Sequence, residues 1–91
     1  MKFFDWLDSL NLDLEIVRYN NQENRFCASL SKGEFKDYIG DGILQSLHGN
    51  GTTPERAIAD FADIISGKIV VFDKIGTERI TYKVPKFVSI V

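Results

Sequence analysis

Residues 51–67 read GTTPERAIADFADIISG and carry the strongest secondary-structure signal in the chain. Thr53 is a favourable N-cap, and Pro54 suits the first helical position, where its missing N–H costs nothing. Gly67 is the residue type that most often follows a helix end. We therefore predict a helix over residues 54–66, with an apolar face formed by Ile58, Phe61, Ala62 and Ile65.

The sequence before this helix has the two-residue period of β-strands. Apolar and polar residues alternate over residues 12–19 and again over residues 26–30. Between them lies NNQEN, residues 20–24, which favours a turn because asparagine tolerates left-handed backbone. Residues 12–30 are therefore predicted to form a β-hairpin.

Further strands flank the helix. We predict a third strand over residues 43–48, and we expect Gly49-Asn50-Gly51 to end it. Residues 68–72, KIVVF, are almost continuously apolar, as in a buried strand, and residues 80–84 alternate again. The stretch 31–42 is irregular: residues 31–34 leave two alternatives open, a turn or a bulge within a longer strand, and residues 40–42, GDG, break any regular pattern.

These elements predict an α+β fold with an antiparallel-rich β-sheet. The order is β-β-β-α-β plus C-terminal strands, with one main helix on one face and a short N-terminal helix. The 91 residues fit a single domain over residues 1–91. Residues 73–77 are predicted to form a turn between the last two strands. The single cysteine excludes an intrachain disulfide, and there is neither a bilayer-spanning apolar run nor a signal peptide, so we expect a cytoplasmic protein.

Apolar stripes at both ends of the chain predict an interaction surface. Residues 3–10 space their apolar side chains as one face of a two-turn helix, and residues 87–91 are apolar and β-prone. One thin α/β layer does not readily bury so much apolar surface. We expect a partner to cover a surface that comprises Phe3, Trp6, Leu10, Phe87, Val88 and Ile90.

The predicted function is therefore a non-enzymatic protein-interaction module, with a homodimer as the expected state. Edge strands within residues 78–91 would pair with a second copy, or would add a strand to a protein partner of unknown identity. No membrane partner is expected.

The candidate chemical groups favour structural roles. Cys27 and His48 could form a thiol–imidazole pair if they share a sheet face, but no third residue has a defined place to orient them. The glycines of residues 49–51 lack the Lys-Ser/Thr of a phosphate-binding loop, and Asp60 and Asp63 lack accompanying metal ligands. We expect no catalytic residue, cofactor or metal.

Nucleic acid binding is the alternative function, as an RNA- or DNA-associated accessory protein. Tyr19 lies between Arg18 and Arg25, and Tyr82 lies beside Lys83, which are fragments of the aromatic and basic pattern of RNA-binding sheets. The net charge of −2 makes this alternative less favoured than protein binding.

Residues 51–58, GTTPERAI, are similar to the Gly-x-Thr-x-Glu-Glu-Ala segment that opens the helix of HicB-like antitoxins. The element order over residues 12–72 also resembles the β-β-β-α-β domain of that family, which is related to double-stranded-RNA-binding domains. Residues 73–91 indicate strands where the family usually carries a DNA-binding element. The resemblance thus implies a stand-alone phage or mobile-element accessory or inhibitor protein.

Overall fold

The computed structural model describes residues 1–20, 23, 25–37, 42–73 and 79–91. Its helices and strands follow in the order α1 (Phe3–Ser9), β1 (Leu14–Arg18), β2 (Phe26–Leu30), β3 (Glu34–Lys36), β4 (Gly49–Gly51), α2 (Pro54–Ile65), β5 (Ile69–Asp73) and β6 (Arg79–Lys83).

Helix α2 begins and ends as its sequence predicts. The side-chain oxygen of Thr53 accepts a hydrogen bond from the backbone N–H of Arg56 at 3.1 Å, and Pro54 occupies the first turn. Ser66 leaves the helical conformation, and Gly67 has φ 78°, a value that suits glycine. The helix predicted over residues 54–66 is confirmed, one residue shorter.

Phe61 of α2 lies at the centre of the hydrophobic core and is fully buried. Its ring meets Phe3 of α1 edge to face at 6.1 Å and Phe35 of β3 edge to face at 6.1 Å. Edge-to-face packing of this kind is favourable beyond simple burial. Helix α2 thereby joins the N-terminal helix to the second half of the fold.

Strands β1 and β2 form the predicted hairpin. They pair antiparallel from Leu14 opposite Leu30 to Arg18 opposite Phe26. On its other side β2 pairs with β4, also antiparallel, which gives a sheet with the order β1-β2-β4.

The third strand predicted over residues 43–48 is wrong. In that range only Gln45 makes a single β-bridge, to Phe35, and the next strand is β4, the segment that was expected to end it. Gly49 and Gly51 are glycines because α2 lies directly on them: a Cβ atom at either position would overlap backbone atoms of the helix. Glycine inside a strand here reflects close approach of another backbone.

Strands β3, β5 and β6 form a second antiparallel sheet in the order β3-β5-β6. Strand β3 lies within the irregular stretch 31–42 and begins at Glu34, the last residue of the segment left open as a turn or bulge. Strands β5 and β6 confirm the two strands expected after the helix. The predicted turn over residues 73–77 lies outside the described residues, apart from Asp73. The α+β class, the antiparallel pairing and the two helices are confirmed; the division into two sheets is an addition from the structure.

Helices α1 and α2 are 7 and 12 residues long. Among the described residues, neither these helices nor any other segment forms a helix that could cross a bilayer.

Candidate functional site

The two apolar chain ends that were predicted to face a partner pack against each other. The backbone N–H of Phe3 donates to the carbonyl oxygen of Ser89 at 2.9 Å, and that of Phe4 donates to Ile90 at 3.0 Å. Phe87 places its ring 5.1 Å from Phe3, measured between ring centroids. The C-terminal segment is therefore part of the packing around α1.

This arrangement corrects part of the predicted interaction surface. Phe3 and Trp6 are buried, at 0% and 4% exposure, so neither offers surface to a partner. The physical reason is that each apolar stripe covers the other. Leu10, Phe87 and Ile90 are half-buried and Val88 is 79% exposed. Contact of these remaining residues with a partner stays a prediction.

Strand β1 also exposes apolar side chains. It is an edge of the β1-β2-β4 sheet, and its Ile16 and Val17 are 43% and 44% exposed. Tyr19, immediately after the strand, is 45% exposed. An apolar edge strand is a template for pairing with another chain unless something protects it.

The hydrogen bonds of the hairpin fix which backbone groups of β1 point outward. Tyr19 N–H donates to Arg25 O at 2.6 Å, and Ser31 N–H donates to Asp13 O at 3.1 Å. In an antiparallel pair, hydrogen-bonded and non-bonded residues alternate, so the odd-numbered residues of β1 face β2. The N–H and C=O groups of Leu14, Ile16 and Arg18 therefore point toward the open edge.

Two other strand edges are covered. On β4, the outward N–H of Asn50 donates to the Asp60 carboxylate of α2 at 2.9 Å. On β3, Phe35 exchanges two backbone hydrogen bonds of 2.8 Å with Gln45. These contacts satisfy groups that would otherwise be available to a partner strand.

The outer edge of β6 carries polar side chains instead. Val84 N–H donates to Lys68 O at 2.8 Å on the β5 side, so by alternation Thr81 and Lys83 point their backbone groups outward. Both side chains are exposed and polar, and lysine on an edge strand is a common protection against pairing. Among the edges described, β1 is the one that is both open and apolar.

The β1-β2-β4 sheet has a second notable feature, a cleft on the face opposite α2. Ala28 and Gly49 occupy the helix side, so their neighbours Cys27, Ser29 and Asn50 face away from it. The cleft has a volume of about 500 Å³. Its lining includes one thiol, one aromatic hydroxyl and several polar or basic side chains: Tyr19, Cys27, Ser29, Ser31, Lys32, Ser46, His48 and Asn50.

Cys27 and His48 both line this cleft, as a thiol–imidazole pair would require. No hydrogen bond joins the two side chains within the described part of the protein. Burial raises the pKa of the Cys27 thiol, which keeps the thiol protonated, whereas a nucleophile needs the thiolate. The geometry therefore supports a packed thiol at the cleft wall.

The other candidate groups have structural partners. Thr53 occupies the N-terminus of α2 as its cap, and Asp60 accepts the bond from Asn50. Asp63 is exposed on the same helix. Among the described residues, no cluster of three or more histidine, cysteine or acidic side chains could hold a metal ion.

Comparison of the chain with protein-family models, with curated proteins and with solved structures finds no match. The resemblance to HicB-like antitoxins stays a prediction from the helix start and the element order.

Proposed function

We propose that this chain is a non-enzymatic protein-interaction module that binds by adding a strand at the open edge of β1. The observation that carries the proposal is the outward orientation of the backbone groups of Ile16 on an edge strand with exposed apolar side chains. Main-chain hydrogen bonds at a free sheet edge provide affinity, and the alternating side chains provide specificity.

The proposed strand donor is a second copy of the same chain. An antiparallel β1–β1 pairing centred on Ile16 brings the outward residues together, with Leu14 opposite Arg18 of the second copy. On the other sheet face the same register places Glu15 opposite Val17. No like charges are then directly opposite, whereas a register centred on Glu15 would oppose two carboxylates.

The pairing forms a weak but specific interface. Three hydrogen-bonded residue pairs exchange about six backbone hydrogen bonds. Each contributes about 0.5–1.5 kcal/mol net, and association must offset the lost freedom of two molecules. A single pair of short strands buries less area than a standard interface, so we expect weak, concentration-dependent dimerisation into a continuous six-stranded sheet.

Replacing Ile16 by proline tests this proposal because it removes the outward N–H and no hydrogen bond within the hairpin. Proline is tolerated on edge strands where the N–H faces solvent. Ile16→Thr is the matched control, since threonine keeps the N–H and the β-branched shape. We expect Ile16→Pro to be monomeric in sedimentation equilibrium at concentrations where the wild type and Ile16→Thr associate.

Urea unfolding of each variant shows whether the monomer fold is retained. If Ile16→Pro is unfolded, Ile16→Lys replaces it, since a charged side chain on the edge blocks pairing and keeps the backbone intact. Equal association of the wild type and a folded Ile16→Pro or Ile16→Lys variant would overturn the proposal, and so would a wild type that stays monomeric at all concentrations.

A further inference from the structure

The cleft on the open face of the β1-β2-β4 sheet has a charge that differs from the rest of the chain. The whole sequence has 13 acidic and 11 basic side chains. The described residues that line the cleft include Lys32 and His48 and no aspartate or glutamate. Among the described residues, neither Lys32 nor His48 has a hydrogen-bond or ion-pair partner, so both are available to an anion.

Tyr19 gives the same cleft an aromatic surface. Its side chain is 45% exposed and lines the cleft just beyond β1, where the Tyr19 N–H donates to the Arg25 carbonyl oxygen. Aromatic side chains on a sheet face are the usual platforms on which unpaired bases stack. Ser29 and Asn50 add hydroxyl and amide groups to the lining of the same cleft.

The length of the cleft indicates the size of its ligand. Ser29 of β2 lies four positions after Arg25, which is level with Tyr19, so the two backbone positions are about 13 Å apart at the usual strand rise. Lys32 lies beyond Ser29 in the chain. A ligand that stacks on Tyr19 and also contacts Lys32 therefore has to span several residues of the cleft.

We propose that this cleft binds a single-stranded oligonucleotide, with Tyr19 as the base-stacking platform and Lys32 and His48 as contacts to phosphate. The inference does not require dimerisation at β1, because the cleft is formed within one copy of the chain, on the sheet face that faces away from α2.

Fluorescence anisotropy with a labelled oligouridylate tests the proposal. For one cationic phosphate contact, that of Lys32, the slope of about −0.7 predicts that affinity falls roughly threefold between about 50 and 200 mM salt. Lys32→Ala should remove most of this decrease, because no other lysine or arginine lines the cleft among the described residues. Lys83→Ala, an exposed lysine on the other sheet, should leave the decrease unchanged.

Tyr19→Ala should weaken binding by roughly 5- to 150-fold, the range for loss of one stacked base. Tyr19→Phe keeps the ring and should retain binding. Tyr82→Ala is the matched control, since Tyr82 is a 40% exposed tyrosine on the β3-β5-β6 sheet. Urea unfolding of Tyr19→Ala confirms that the variant is folded before its affinity is compared.

Oligothymidylate and ATP form the other arms of the experiment. Binding of either oligouridylate or oligothymidylate supports the proposal. The one that binds with higher affinity shows whether the cleft prefers RNA or DNA. The proposal is overturned if the wild type binds no oligonucleotide, if Tyr82→Ala weakens binding as much as Tyr19→Ala, or if ATP competes as well as the oligonucleotide. Ile16→Pro should bind the oligonucleotide with the affinity of the wild type, which would show that oligonucleotide binding does not depend on pairing at the β1 edge.

Discussion

Replacing Gly49 by alanine should force helix α2 away from strand β4. A Cβ atom at Gly49 would overlap the backbone nitrogen of Phe61 and the carbonyl oxygen of Ala57. Backbone atoms cannot rotate aside as a flexible side chain can, so the helix and the strand must separate and loosen the core. Overpacking generally costs about 1–3 kcal/mol, and a backbone obstacle places this substitution at the upper end, about 3 kcal/mol.

Urea unfolding followed by the fluorescence of Trp6, the single buried tryptophan, measures this loss. A loss of about 3 kcal/mol corresponds to a decrease in Tm of about 12–24 °C for a domain of this size. Gly42→Ala is the control, because its Cβ would lie 3.4 Å from the Lys36 Cβ, an ordinary contact distance. Equal free energies of unfolding for Gly49→Ala and Gly42→Ala would refute the close approach of α2 to β4.

Three further predictions concern the chain ends, the helix cap and the thiol. Phe87→Ala should lower the free energy of unfolding by about 2–3 kcal/mol because its ring packs on Phe3, whereas exposed Val88→Ala should change it by less than about 0.5 kcal/mol; equal effects would contradict the docked C-terminus. Thr53→Ala should cost about 1 kcal/mol in the same assay through loss of the cap, and an unchanged value would argue against it. Cys27 should react with iodoacetamide more slowly in the folded than in the urea-unfolded chain, since burial raises its pKa. The stability from this shift is complete below the ordinary thiol value of 9.0 and is lost as the pH rises through the folded pKa.

The sequence was sufficient for elements whose signals are local. Thr53, Pro54 and Gly67 mark the ends of α2 by capping chemistry, and the alternation on both sides of an asparagine-rich turn marks the β1–β2 hairpin. These signals depend on neighbouring residues alone, so they remain valid whatever the rest of the chain does.

The errors arose where distant segments meet. Gly49 and Gly51 read as strand-ending residues, because the sequence does not reveal that the backbone of α2 lies on them. Trp6 and Phe87 read as surface for a partner because each stripe is amphipathic alone, yet their rings lie 5.5 Å apart in the structure. The order of the strands in each sheet also depends on contacts between distant segments, so the open edge at β1 could not be predicted from the sequence.

Amide hydrogen exchange of β1, followed residue by residue as the protein concentration is raised, tests the proposed strand addition most directly. Val17 faces β2 and should be protected at every concentration, as part of the hairpin. Ile16 and Arg18 should exchange rapidly in dilute solution and become protected as dimers form. If the exchange rate of the Ile16 amide is the same in dilute and concentrated samples, β1 does not pair with a second copy.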